Sequence, residues 1–186
     1  MTGLGLTGSQ TVGPFFSGAL LRDPLNVLAG ADTAGQRIRV EGRVLDGDGA
    51  PVPDAVVEIW QANAHGRYNH PLDRRAAPLD PAFTGFGRSG TDEDGRYWFE
   101  TVKPGPVPFE GDTPQAPHIS VMVAARGLLN HLATRLYFAD EPTNAADPVL
   151  SQVPPDRRAT LLARPEQANG ATVYRLDIIL QGSSET

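Results

Sequence analysis

Any chemistry in this chain of 186 residues is done without sulfur nucleophiles, because it contains no cysteine. That removes Cys-type zinc and Fe–S sites, thiol catalysis and any disulfide framework. The groups left to hold a metal or move a proton are four histidines and four tyrosines. Three of them, His65, Tyr68 and His70, fall close together, while His118, His131, Tyr97, Tyr137 and Tyr174 are spread along the chain. A phenolate oxygen suits a hard trivalent cation, but a free phenol has a pKa of about 10, so a metal must itself favour the deprotonated form. A metal site built from Tyr68 with His65 and His70 is allowed by the spacing and not demanded by it. Tyr97 sits inside a strand pattern and reads as a core or sheet-face residue. Taken alone, Arg126 at a strand end reads as one half of a surface ion pair, which is worth little, and Arg135 within a strand reads as a structural ion pair.

The elements that position these residues have period two. Ile38, Val40 and Gly42 alternate with Arg37, Arg39 and Glu41, with Val44 following, the signature of a half-buried strand. Further strands are predicted over Ala55–Trp60, Arg96–Val102, Pro117–Ala125, Thr134–Phe138 and Thr172–Leu180, with a helical turn over Asp156–Leu162. Asp46-Gly47-Asp48-Gly49 and Asp92-Glu93-Asp94-Gly95 are turns, and the 20 glycines and 17 prolines punctuate short strands rather than forming a repeat. Residues 61–90 carry no clear period, and a loop that long in one domain is usually functional or an interface. The fold class expected is all-β: a two-sheet β-sandwich with long functional loops and an extended N-terminal arm. Residues 1–36 are expected to form the arm, which docks either over the chain's own core or at a subunit interface, and 37–186 the sandwich.

The formal net charge is -6 and the sequence pI about 5.1, which argues against a nucleic-acid phosphate backbone as partner. No stretch approaches the roughly 18 apolar residues of a membrane span. The first ten residues lack a cationic, apolar leader, so the expected location is cytoplasmic.

Several uncommon motifs occur in order. They are the run Val57-Glu58-Ile59-Trp60-Gln61-Ala62-Asn63-Ala64-His65-Gly66-Arg67-Tyr68, then Phe86-Gly87-Arg88 and Thr101-Val102-Lys103-Pro104-Gly105, then Ala116-Pro117-His118-Ile119, Ala125-Arg126-Gly127 and Thr134-Arg135-Leu136-Tyr137-Phe138. Together they resemble the intradiol ring-cleaving dioxygenases, and the likeness runs from Thr11 to Gly182. The resemblance implies oxygen-dependent opening of a catechol between its two hydroxyl-bearing carbons, at a non-haem Fe(III) held by two tyrosines and two histidines. It places those ligands at Tyr68, Val107, His118 and Ser120, so two of the four positions carry residues of the wrong kind. Loss of ligands marks one branch of the family, in which a ligand-poor α-type subunit works beside a homologous β-type subunit.

For this chain the resemblance therefore implies no metal and no catalytic residue of its own. Fe(III) belongs to the iron-binding β-type partner in a heteromer. Tyr68, Val107, His118 and Ser120 are vestigial ligand positions; a buried Tyr68 hydroxyl wants a partner, and His118 is one candidate. Thr11, Gly13 and Pro14 of the arm and Arg126 line the substrate pocket, with Arg126 facing a ring carboxylate on a small aromatic substrate. Phe15 stands where the family often has tyrosine and carries no hydroxyl. Trp60 and Trp98 are expected in the core or at a subunit interface. The alternatives are a stand-alone β-sandwich binding module, and a single-chain metal enzyme using His65, His70 and Tyr68.

Overall fold

The period-two stretches become strands that turn alternate residues into a shared core. The structure, a computed structural model, describes residues 16–21, 25–111, 113–168 and 170–186. Thr11, Gly13, Pro14 and Phe15 lie outside them. After a single helical turn, α1 (Phe16–Leu20), come β1 (Arg37–Leu45), β2 (Val56–Trp60), β3 (Phe86–Gly90), β4 (Arg96–Val102), β5 (Val107–Pro108), β6 (Pro114–Gln115), β7 (His118–Ala124), β8 (Leu132–Phe138), β9 (Leu162–Ala168), β10 (Ala171–Arg175) and β11 (Ile178–Ile179).

One layer runs β3-β2-β7-β8 and the other β9-β10-β1-β4, with β11 beside the end of β1. The layers are joined where β8 and β9 pair in parallel, Tyr137 with Leu162 and Phe138 with Ala163. β5 and β6 form a separate two-stranded ribbon. Val57, Ile59, Ile119, Val121, Leu136 and Phe138 from the first layer meet Ile38, Val40, Phe99 and Tyr174 from the second in one buried cluster. Each such side chain contributes roughly 1.5–3 kcal/mol when fully buried. Tyr97 is part of this core, and its hydroxyl donates to the Leu176 carbonyl at 2.7 Å. No helix among the described residues is long and apolar enough to cross a membrane.

The predicted strands over 37–44, 55–60, 96–102, 117–125 and 134–138 are present, and a 3-10 turn covers Arg158–Leu161. The last predicted strand is broken between β10 and β11, where Asp177 turns its carboxylate to the Arg43 amide at 2.8 Å. Both Asp-Gly turns use one device. The first aspartate accepts the amides two and four residues on: Asp46 from Asp48 (3.0 Å) and Ala50 (2.9 Å), and Asp92 from Asp94 (3.0 Å) and Arg96 (2.8 Å). Of the arm, residues 25–29 lie on the sandwich itself: Leu28 donates to the Glu100 carbonyl at 2.8 Å, and Leu28 and Ala29 enter the main core.

Candidate functional site

The site is laid out by strand register on the outer face of the first layer. Trp60 pairs with Ser120, Ser120 with Arg135, and His118 with Tyr137. Directly opposed residues share a face, so Trp60, Ser120 and Arg135 make one row and His118 and Tyr137 the next. The segment following β2 folds over this face because Asn63 organises it. Asn63 is buried; its Oδ1 accepts the amides of His65 (2.9 Å) and Arg67 (3.0 Å), and its Nδ2 donates to the Pro78 carbonyl (2.9 Å). The Asn63 carbonyl accepts Gly105 N–H at 2.9 Å, tying this segment to the one that leads into Val107. Gly66 makes the contact possible: it has φ +75°, and a Cβ there would lie 2.0 Å from the Pro106 carbonyl oxygen. Buried Gln61 holds the base of the loop by donating to the Val102 carbonyl (2.9 Å) and accepting from Thr101 (2.8 Å).

The result is a cavity of about 630 Å³ whose walls include Tyr68, Val107, His118 and Ser120. The Tyr68 ring stacks on Trp60, with centroids 5.8 Å apart and planes 12° from parallel. Asp73 receives the Tyr68 amide at 2.8 Å and is clasped by the Arg75 guanidinium. That clasp holds the Asp73 carboxyl well below the usual carboxylate range. Burial raises the Tyr68 phenol, against the opposing charges of Arg135 and Arg75. Burial lowers the His118 imidazole; its Nδ1 lies 2.8 Å from the Ala116 carbonyl, which favours the proton, while the Arg135 charge disfavours it. Behind His118, the Tyr137 hydroxyl donates to Asp147 at 3.1 Å and is pushed up to about 12, chiefly by burial.

The structure thus gathers the four predicted ligand positions around one space. It does not gather His65, His70 and Tyr68. His70 is on the cavity wall with its Nδ1 accepting the Leu72 amide at 3.2 Å, whereas His65 is exposed and off the wall. Two expectations are corrected. Tyr68 and His118 form no hydrogen bond, because the His118 ring is turned to the Ala116 carbonyl and tilts against Tyr137. Arg135 has no ion-pair partner among the described residues. Its Nη1 donates instead to Gln115 Oε1 (2.8 Å) and the Tyr137 hydroxyl (3.3 Å), so the guanidinium faces the cavity. Reading residues one at a time hid this; Arg135 shares a row with Ser120, and only the register reveals it. Of the tryptophans, Trp60 lines the cavity, and Trp98 lies under the Arg39 guanidinium at 4.3 Å on the other layer.

Arg126 is elsewhere. It follows the far end of β7, where its Nε meets Asp54 Oδ2 at 2.5 Å and its side chain is 78% exposed. The length of β7 puts it about 20 Å from the His118 end.

The β-sandwich thus brings a Trp60–Tyr68 stack, the strand residue His118, and Val107 and Pro108 onto one cavity. A family profile described as Dioxygenase matches residues 12–182, and the chain belongs to the intradiol ring-cleavage dioxygenase family. It is 43% identical to the protocatechuate 3,4-dioxygenase alpha chain of Burkholderia cepacia, over 100% of this chain and 98% of that one. It is 41% identical to the beta chain from the same organism, over 87% of this chain and 71% of that one. Among solved structures, the dioxygenase domain of a carbohydrate-binding fusion from Streptomyces sp. SirexAA-E superposes with a TM-score of 0.65 at 26% identity, covering 95% and 99% of the two chains.

The residues of this cavity do not fit the ferric ion that the family implies. Val107 offers hydrocarbon and Ser120 a neutral hydroxyl. Arg135 sets a permanent positive charge on the wall, which repels a trivalent cation.

Proposed function

We propose that this chain is the α-type subunit of a protocatechuate 3,4-dioxygenase. It lends pocket residues to an Fe(III) site held by a homologous β-type partner. The assembled enzyme would open 3,4-dihydroxybenzoate with both atoms of O2, giving 3-carboxy-cis,cis-muconate. Full-length likeness to an alpha chain, combined with a cavity that keeps two ligand positions and has lost two, is the observation that supports this reading. The family match over most of the chain favours it over a stand-alone binding module.

Iron held by the partner would supply the Lewis acid that activates the catecholate, and this chain's residues would not hold it. The work assigned to this chain is positioning. Arg126 would meet the substrate carboxylate with charge-assisted hydrogen bonds. Its place supports the assignment. It is remote from this chain's own cavity and exposed, and its ion pair with Asp54 is of the solvent-exposed kind that costs roughly 0–1 kcal/mol to give up. Such a side chain is free to serve a neighbouring subunit. Thr11, Gly13 and Pro14 are assigned to the same pocket from the family likeness: glycine admits a ligand close to the backbone and proline stiffens the turn.

Co-purification with the β-type partner tests the proposal. The expected result is a coloured ferric complex whose iron content tracks the partner, and no ring cleavage by this chain alone. Robust turnover by the isolated chain, or stoichiometric iron on it, overturns the assignment.

A further inference from the structure

We infer that the cavity within this chain is a binding site for a small aromatic carboxylate, with the carboxylate on Arg135 and the ring against Trp60. The inference goes beyond the proposed function and needs neither the partner nor iron.

Arg135 carries it. The guanidinium is half-buried and fixed through Nη1 by Gln115 and Tyr137, yet its Nε and Nη2 have no hydrogen-bond partner among the described residues. That Nε–Nη2 edge is the fork that receives a carboxylate bidentately. Neither atom is shut off from solvent, so both are open to a ligand. The one acid on the cavity wall, Asp73, is already clasped by Arg75. Asp147 is linked to Arg135 only through the Tyr137 hydroxyl, and its oxygens already accept the amides of Ala116, Val149 and Leu150. Arg74 adds positive charge to the same wall.

The remaining walls select the rest of the ligand. The Trp60–Tyr68 stack gives a flat face, and Val107 and Pro108 give an apolar one. An inorganic anion would leave these surfaces unused. A cavity of about 630 Å³ accommodates a single-ring acid. Ser120 is the short residue that keeps the space in front of the guanidinium open, being its direct neighbour across the ladder.

The test uses the full chain carrying Trp98→Phe, which leaves Trp60 as the only indole. Benzoate is titrated while Trp60 emission is followed, with inorganic phosphate and acetate as competitors. Saturable quenching is expected with a Kd below about 1 mM. Arg135→Met should weaken it by about 10-fold or more, and Ser120→Leu, which fills the space without touching the charge, should do likewise. Thermal melts establish that both variants are folded. No saturation up to about 10 mM overturns the inference. So does undiminished binding in both folded variants, or phosphate binding as tightly as benzoate. With no partner or O2 in the assay, the result is independent of whether the chain serves in ring cleavage.

Discussion

Replacing Gly66 with alanine should destabilise the fold by about 3 kcal/mol. Three contributions set that figure. The left-handed backbone at φ +75° costs an L-residue roughly 1–2 kcal/mol. The reduced freedom of alanine in the unfolded chain returns about 0.5 kcal/mol. The larger effect is steric: the new Cβ would stand 2.0 Å from the Pro106 carbonyl oxygen, so the two segments must separate. Separation breaks the Gly105-to-Asn63 hydrogen bond and strains the Gly66-to-Asn63 bond, now 2.9 and 3.0 Å, at about 1 kcal/mol each. For a domain of this size the melting temperature should fall by roughly 6–12 °C. Gly49→Ala carries the backbone part alone: φ there is +81°, with nothing within 4 Å of the added Cβ. It should lower the melting temperature by only about 2–4 °C. Calorimetry of the two variants decides the matter, and near-UV circular dichroism should show the Trp60–Tyr68 stack disturbed in Gly66→Ala alone. Equal losses in both variants would refute the claim that close approach to Pro106 is what position 66 requires.

In the proposed heteromeric enzyme, Arg126→Ala should raise KM for 3,4-dihydroxybenzoate about 10-fold or more while barely changing KM for catechol; equal effects would remove Arg126 from the carboxylate. Burial, with Arg135 acting in the same direction, sets the His118 imidazole below its ordinary 6.5. The unfolded chain therefore takes up that proton first, and stability is complete above pH 6.5 and falls as pH drops through it. His118→Gln should flatten this part of the profile, read from urea midpoints at about pH 7.5 and 5.5. Asp147 is fully buried and accepts three amides and the Tyr137 hydroxyl. Its replacement by alanine should cost about 3 kcal/mol in denaturant unfolding, with asparagine, which keeps one acceptor oxygen, intermediate.

Where alternation is strong the sequence predicts the strands, because burying one face fixes register. It is silent on β3, since residues 61–90 carry no clear period. Gly87 is small for a packing reason: a Cβ there would crowd Leu28 at 2.7 Å and Ile59 and Phe99 at 3.0 Å. No local pattern shows that. β9 was missed because only Ala163 of its seven residues is buried and Pro165 interrupts it; tertiary pairing, not propensity, makes it a strand. In the site, motif likeness supplied the positions of Tyr68, Val107, His118 and Ser120, whereas the orientation of Arg135 depends on which residue opposes it across a ladder. Likewise Gln61 and Asn63, inside the most legible motif, turn out to be buried scaffolding for the loop.

The parallel two-residue pairing of β8 with β9 has a mechanical consequence. It makes main-chain bonding continuous from β11 round to β3, so the layers behave as one ribbon folded over rather than two plates held by grease. Tyr137 and Phe138 form the splice: Tyr137 backs His118 on the outside, and Phe138 plugs the interior against the edge of the Tyr174 ring. Loosening that seam would release the cavity wall and the hydrophobic interior in the same event.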